Sequence, residues 1–298
     1  PGDTIRFRGG DTLNGHCIFN NLNIQDTSKK IVFNSYGSGK AYIRPDSTSN
    51  YCFSFNYQNI LKIEFSNLIF MGNYNTLTQL GGLTNYYAIN ITNINSTSVD
   101  LVSDSMKIEI DSCEFTKFVT AGAVFQHTTF WATPLYLKRT GIFRLTNNQF
   151  YNLGGNGFLG SGINNWDSYI YNNSITSIRG ISHQKYSFAL CMYNCSQVLV
   201  ERNYVDSIGK YDSLGACGLY FGDSDSITYR YNEVRNIYGT YGQVQEGTGL
   251  YFDGFCKYGI MEYNFIGNCY GTAIGMSQGE NLIFRYNISI QDSCFASN

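Results

Sequence analysis

Two carboxylates stand at matching places in neighbouring sequence repeats, Asp223 closing LYFGD and Asp253 closing LYFD. If the repeats stack, these side chains come close together, and Glu246, just before the second strand, joins them. Paired carboxylates are what glycoside hydrolysis needs. A separation of about 5–5.5 Å suits a nucleophile with an acid, and about 6.5–9.5 Å leaves room for an attacking water. Asp223 and Asp253 are also the oxygen donors that would hold Ca2+, the one cofactor the sequence points to. The plainer alternative is that both accept hydrogen bonds from the turns that follow their strands.

A second set is basic. His183 and Lys185 share one stretch, and Lys210 with Tyr211 occupy the next. Elimination across a uronate needs a base for the proton beside the carboxylate and a cation to neutralise that carboxylate. Lys185 and Lys210 are the candidates for this chemistry, as Glu246 and Asp253 are for hydrolysis. Aromatic faces stack on sugar rings without any titrating group, so Tyr211, Tyr238 and Tyr241, with His183, are the candidate substrate-binding residues, and Trp131 and Trp166 also qualify. With only three histidines, His16, His127 and His183, each reads more readily as a surface loop residue than as a catalyst.

The elements that must position these residues repeat along the chain. LKIEFSNLIF, MKIEIDSCEF, IFRLTNNQFYN, YIYNNSITSI, VLVERNYVDSI, ITYRYNEVRNI, GIMEYNFIGN and LIFRYNISIQ share one pattern. Apolar and polar residues alternate, a polar turn residue follows, and a second short apolar stretch closes the unit. The turn column reads Asn67, Cys113, Asn148, Asn173, Asn203, Asn232, Asn264 and Asn287, with gaps of 46 and 35 and then 25, 30, 29, 32 and 23 residues. Period-two alternation excludes a helical repeat of the same length and predicts stacked parallel strands. Stacking about 4.8 Å apart lets each Asn side chain bond to the next coil's turn, an asparagine ladder made of Asn148, Asn173, Asn203, Asn232, Asn264 and Asn287. A further strand column follows in FALCMYN, CGLYFGD, TGLYFDG and TAIGMSQ. Insertions are expected at 72–105, 119–139, 180–187, 210–216 and 238–247, on the side where solenoids commonly bind.

Composition agrees. Across 298 residues, 25 Tyr and 31 Gly against 3 Pro and 14% charged residues describe a β-rich, turn-rich chain. A formal net charge of −2 gives no field that would draw nucleic acid, and no apolar run is long enough to span a bilayer. Nine cysteines are too scattered for a zinc site. Together with sequons at Asn90, Asn95, Asn172, Asn194 and Asn287 they point to a secreted, glycosylated protein. Chance sequons and cysteines stacked as small buried hydrophobes are the equally simple alternative. Cys269 and Cys294 are a candidate disulfide pair.

The opening PGDTIRFRGGDT and the later IVFNSYGSG, with GTGLYFDG and EYN further on, resemble secreted right-handed parallel β-helix proteins of the pectate-lyase-like superfamily. The resemblance covers nearly the whole chain. It implies an all-β fold, a right-handed parallel β-helix with an asparagine ladder and loop insertions, as a single domain over 1–298. It also implies a polysaccharide or glycan as partner and action as a lyase or glycosidase, although the R-x-P-x-x-R and G-H-G signatures of that superfamily do not occur. No capping helix precedes PGDT, and Arg285-Tyr286-Asn287 opens a further coil, so the chain reads as part of a longer protein with open ends suited to self-association. The competing functional reading is a non-catalytic glycosylated module of an extracellular fibre, surface layer or adhesin.

Overall fold

The computed structural model describes residues 2–20, 29–56, 62–73, 87–92, 107–118, 121–125, 142–179, 187–210, 215–239, 247–292 and 294–297. They form three sheets of ten strands each, and the chain visits the sheets in strict rotation, so that each coil adds one strand to every sheet. All pairings are parallel, as in Lys107–Asp111 on Ile142–Thr146. Among the described residues no helix is long and apolar enough to cross a membrane.

The period-two pattern does what alternation must do in a strand, placing successive side chains on opposite faces. Lys62–Ser66, Lys107–Asp111 and Ile142–Thr146 all alternate between partly exposed and buried. Parallel stacking in register then turns each inward position into a column. On the second sheet, Phe70, Phe115 and Phe150 stack at 5.0 and 4.6 Å, and Ile175, Val205, Val234 and Ile266 continue the column. Each stacked aromatic pair adds about 0.5–1.5 kcal/mol beyond the area it buries.

The ladder runs along the corner between the first and second sheets. Asn173 Oδ1 accepts both the backbone N–H and the Nδ2 of Asn148, at 3.0 Å each, while Asn173 Nδ2 donates to Leu145 O at 2.8 Å and to Asn203 Oδ1 at 2.9 Å. The same arrangement continues through Asn203, Asn232 and Asn264 to Asn287. A buried amide is thus satisfied by its neighbours above and below.

Three sequence expectations are corrected here. Asn67 does not belong to the turn column: Glu114 pairs with Ile69 and with Gln149, so the residue of that coil in register with Cys113 and Asn148 is Leu68, and Asn67 precedes it with φ 56°. The insertions at 72–105 and 119–139 are not loops throughout, since Tyr87–Thr92 and Ala121–Phe125 are strands of the third sheet. Cys269 is a free thiol. It lies on the second sheet, whereas Cys294 lies on the third opposite Thr272, so consecutive coils do not superpose the two. The other buried cysteines behave as small core residues. Cys195, Ser224 and Cys256 form a column at the corner after the third sheet, where Ser224 Oγ accepts the N–H of Cys195 and Cys256 Sγ that of Ser224.

The position before each ladder residue is left-handed in every coil from Asn67 onward: Asn67, Ser112, Asn147, Asn172, Arg202, Tyr231, Tyr263 and Tyr286 have φ between 54° and 57°. Asn tolerates this region, but a bulky residue held there costs about 1 kcal/mol or more. Tyrosine in the last three coils is therefore a locally unfavourable choice.

Candidate functional site on the outer face of the third sheet

Strands Ser187–Tyr193, Ala216–Gly222 and Thr248–Asp253 lie side by side in the third sheet. Leu219 and Phe221 enter the main core, leaving Cys217 and Tyr220 in a separate cluster with Cys191, against which Leu159, Phe188, Tyr193 and Tyr251 pack. Tyr220 is its centre, with ring centroids 5.0 Å from Phe188, 5.1 Å from Tyr193 and 5.7 Å from Tyr251. Two glycines make room for these rings. A side-chain carbon on Gly222 would meet the Tyr193 ring at 2.6 Å, and one on Gly275 would meet Tyr251 at 2.7 Å.

The carboxylates sit where this cluster ends. Register pairs Gly222 with Asp253, so Asp223 falls opposite Gly254 and the two acids are offset by one residue instead of superposed. Asp253 belongs to the strand. Its Oδ2 accepts the Tyr220 hydroxyl at 2.7 Å and its Oδ1 accepts the Gly254 N–H at 2.8 Å. Asp223 is exposed on the corner with φ 48°, and its Oδ1 accepts the N–H of Phe255 at 3.2 Å. Both acids thus accept from the turn that follows Thr248–Asp253, Asp253 from its own coil and Asp223 from the neighbouring one, and Asp253 in addition accepts from a phenol. Phe255 projects beside them, 68% exposed.

Burial dominates the electrostatics of the cluster. It drives the Tyr220 and Tyr193 hydroxyls well above the ordinary tyrosine value, with their mutual interaction and the Asp253 charge adding to the effect on Tyr220. Tyr251 is pushed up to about 12, by burial first and by Asp253 second. Tyr220 is thus a permanent hydrogen-bond donor near neutral pH, and Asp253 keeps a fixed orientation with remaining lone pairs for a ligand hydroxyl.

Ca2+ takes six to eight oxygens, and among the described residues no three His, Cys, Asp or Glu side chains gather as a metal set.

Lys210 is exposed and Tyr238 half-buried, where the chain leaves the second sheet. Asp253 lies at the far end of a six-residue strand, about 16 Å away along the sheet at the usual strand rise. The structure therefore groups Asp223 with Asp253 and separates both from Lys210 and Tyr238. His183, Lys185, Tyr211, Tyr241, Glu246, Trp131, His127 and the sequon at Asn95 lie outside the described residues. His16 is bound through Nδ1 to Asp46 at 2.7 Å; Ser49 Oγ approaches the same nitrogen, so no nucleophile–base–acid relay forms.

Of the remaining sequons, Asn172 and Asn194 are exposed, and Asn90 donates its amide to Ser54 Oγ at 3.3 Å. At Asn287 the side-chain nitrogen that a glycan would need is engaged in the ladder, where Nδ2 donates to Met261 O at 2.8 Å. The residues that sequence reasoning missed are Tyr193, Tyr220, Tyr251 and Phe255. Their signal was present in FALCMYN, CGLYFGD and TGLYFDG, where a tyrosine recurs beside each core phenylalanine or methionine, but the acids were aligned on strand ends and not on the pairing register.

A family model described as a right-handed β-helix region matches residues 101–253, which include the strand carrying Asp253. No curated protein sequence matches the chain significantly. Among solved structures, the chain is similar to the enzymatically active domain of bacteriophage CBA120 tailspike protein 2, at 9% identity and a TM-score of 0.58, covering 96% of this chain and 43% of that one. It is also similar to a lacto-N-biosidase from Eubacterium ramulus, at 12% identity and a TM-score of 0.50, covering 96% of this chain and 54% of that one. The chain thus spans about half the length of these proteins, and at such identities the likeness is one of fold.

Proposed function

We propose that this chain, which belongs to the right-handed β-helix family, holds a glycan across the outer face of its third sheet and acts on it there with Asp253 as the proton-handling carboxylate. The observation that carries the reading is the Tyr220–Asp253 pair at 2.7 Å within the Phe188–Tyr193–Tyr220–Tyr251 cluster. Tyr220 is buried, and the partly exposed rings of Phe188, Tyr193 and Tyr251 beside an oriented carboxylate make the combination that sugar recognition uses: rings meet the apolar faces of a pyranose and the carboxylate accepts its hydroxyls. A neighbour named for its action on a carbohydrate, the lacto-N-biosidase, shares the fold and supports the class without assigning the substrate.

In this reading Tyr220 and the Gly254 N–H orient Asp253, and Asp223 is the second carboxylate, offset by one residue toward solvent. General acid–base chemistry by one positioned carboxyl contributes about 10²–10⁴-fold. Hydrolysis is favoured over elimination because Asp223 and Asp253 both accept from the one turn at Gly254 and Phe255, whereas Lys210 lies at the opposite edge. Exposure of Asn172 and Asn194 supports a secreted, glycosylated setting for the same protein.

The test is a panel of neutral and acidic polysaccharides followed for reducing ends and for the ultraviolet absorbance of unsaturated ends, with Asp253→Asn alongside. Reducing ends that vanish in the variant support the proposal. Unsaturated ends would replace hydrolysis with elimination, and binding without turnover would reduce the role of Asp253 to recognition.

A further inference from the structure

We propose that Tyr231, Tyr263 and Tyr286, on the corner between the first and second sheets, form a second carbohydrate-binding surface that takes an uncharged, extended polysaccharide laid along the solenoid axis. This surface does not depend on the reading of Asp253.

The three rings stack face to face, at 5.3 Å between Tyr231 and Tyr263 and 5.0 Å between Tyr263 and Tyr286, with interplanar angles of 13° and 16°. They are nonetheless 50%, 45% and 66% exposed. Because their faces largely cover one another, it is the ring edges and phenol hydroxyls that meet solvent. Edges carry the positive part of the aromatic quadrupole, and the hydroxyls both donate and accept. An oxygen-rich, hydroxylated partner complements both.

Backbone conformation gives the second argument. All three tyrosines occupy the left-handed position that Asn147 and Asn172 occupy in earlier coils. Asparagine would fill the column with less strain, and residues held against backbone preference concentrate at functional sites. Stacking offsets part of this cost but does not require the rings to be half exposed.

Charge gives the third. The outward column beside the ridge alternates Glu201, Arg230, Glu262 and Arg285, and these pair among themselves, Arg230 with Glu201 at 2.9 Å and Arg285 with Glu262 at 2.7 Å. Arg202, which precedes Tyr231 in the ridge column, also lies 3.4 Å from Glu201, so each arginine beside the ridge is ion-paired and the excess of a single positive charge is too small a field to select a polyanion. Its period of one tyrosine per coil instead favours a polymer, since each repeat unit that reaches the next hydroxyl binds at raised effective concentration.

The test is native affinity electrophoresis in gels containing neutral galactomannan, neutral β-1,4-glucan, alginate or polygalacturonate. It compares wild type, the triple variant Tyr231→Asn/Tyr263→Asn/Tyr286→Asn, and Asp253→Asn. Asparagine suits the left-handed position, so the triple variant is expected to unfold at or above the wild-type temperature. Wild type should be retarded by at least one neutral polysaccharide, the triple variant should lose retardation at least fivefold, and Asp253→Asn, which reports the third-sheet site, should lose less of it than the triple variant does. No retardation of wild type in any neutral gel, or equal retardation of wild type and triple variant, overturns the proposal. So does a loss in Asp253→Asn as large as in the triple variant, which would assign the binding to the third sheet. A triple variant that unfolds well below wild type would show the stack to be structural, and also overturns it.

Discussion

The ladder corner and the outer face of the third sheet are built from the same coils and obey opposite rules. At the corner one residue type fills six successive positions, Asn148, Asn173, Asn203, Asn232, Asn264 and Asn287, because each amide finds its partners only if the coils above and below carry the same group. On the third sheet a single outward column reads Leu159, Cys191, Tyr220, Tyr251 and Gly275, different in every coil. Repetition there would gain nothing. A stack of identical tyrosines would leave no glycine to receive the Tyr251 ring and no break at which Asp253 meets a phenol. In these two columns the repeated amide holds the coils together, and the broken repeat is what brings an acid to a phenol.

The sharpest way to break that comparison is one substitution in each region. Asn203→Ala removes the partner of the buried Asn173 N–H, one of the two acceptors of Asn173 Nδ2 and a donor to the Ile170 carbonyl, and is expected to cost about 3 kcal/mol by urea unfolding. A loss below about 1 kcal/mol would mean the ladder is a consequence of stacking and not a cause. Asp253→Asn keeps an acceptor for Gly254, so its stability should change by less than about 1 kcal/mol. Its turnover, in contrast, should fall about 10²-fold or more.

A smaller effect tests the join between the regions. Gly249 packs where the third sheet approaches the second; a methyl there would meet Ile266 Cγ2 at 2.6 Å and Ala273 O at 2.7 Å. Gly249→Ala should cost about 1–3 kcal/mol in thermal or denaturant unfolding. The smallest effect is a pH dependence. Tyr251 has its hydroxyl raised from 10.0 to about 12 by burial, so the folded state favours the neutral phenol. That contribution is complete below pH 10 and is lost as pH rises through 12. Tyr251→Phe should accordingly flatten the decline of stability between pH 10 and 12, and an unchanged slope would show that Tyr251 ionises without strain.

The fold was legible because a parallel solenoid writes its period into the chain: alternation identified the strands, and six asparagines at coil spacing identified the corner. The N-terminal coils were read less well for a physical reason. Ala41, Leu68 and Cys113 fill the ladder column there, so the apolar core replaces the amides and the marker residue vanishes. Asn67, one position early, supplied a false substitute. The site was half legible. Asp223 and Asp253 were visible as acids at strand ends, but their one-residue offset depends on pairing register, and Tyr220 was hidden among 25 tyrosines until its depth in the sheet distinguished it.

The most direct test of the central claim is binding of an oligosaccharide panel by calorimetry to wild type, Tyr251→Ala and Asp253→Asn. The account predicts a ligand bound by wild type, with affinity lowered about tenfold or more in Tyr251→Ala and a reduced binding enthalpy in Asp253→Asn. Equal affinity and enthalpy in all three proteins, or no ligand bound by wild type, would contradict a glycan site on the third sheet.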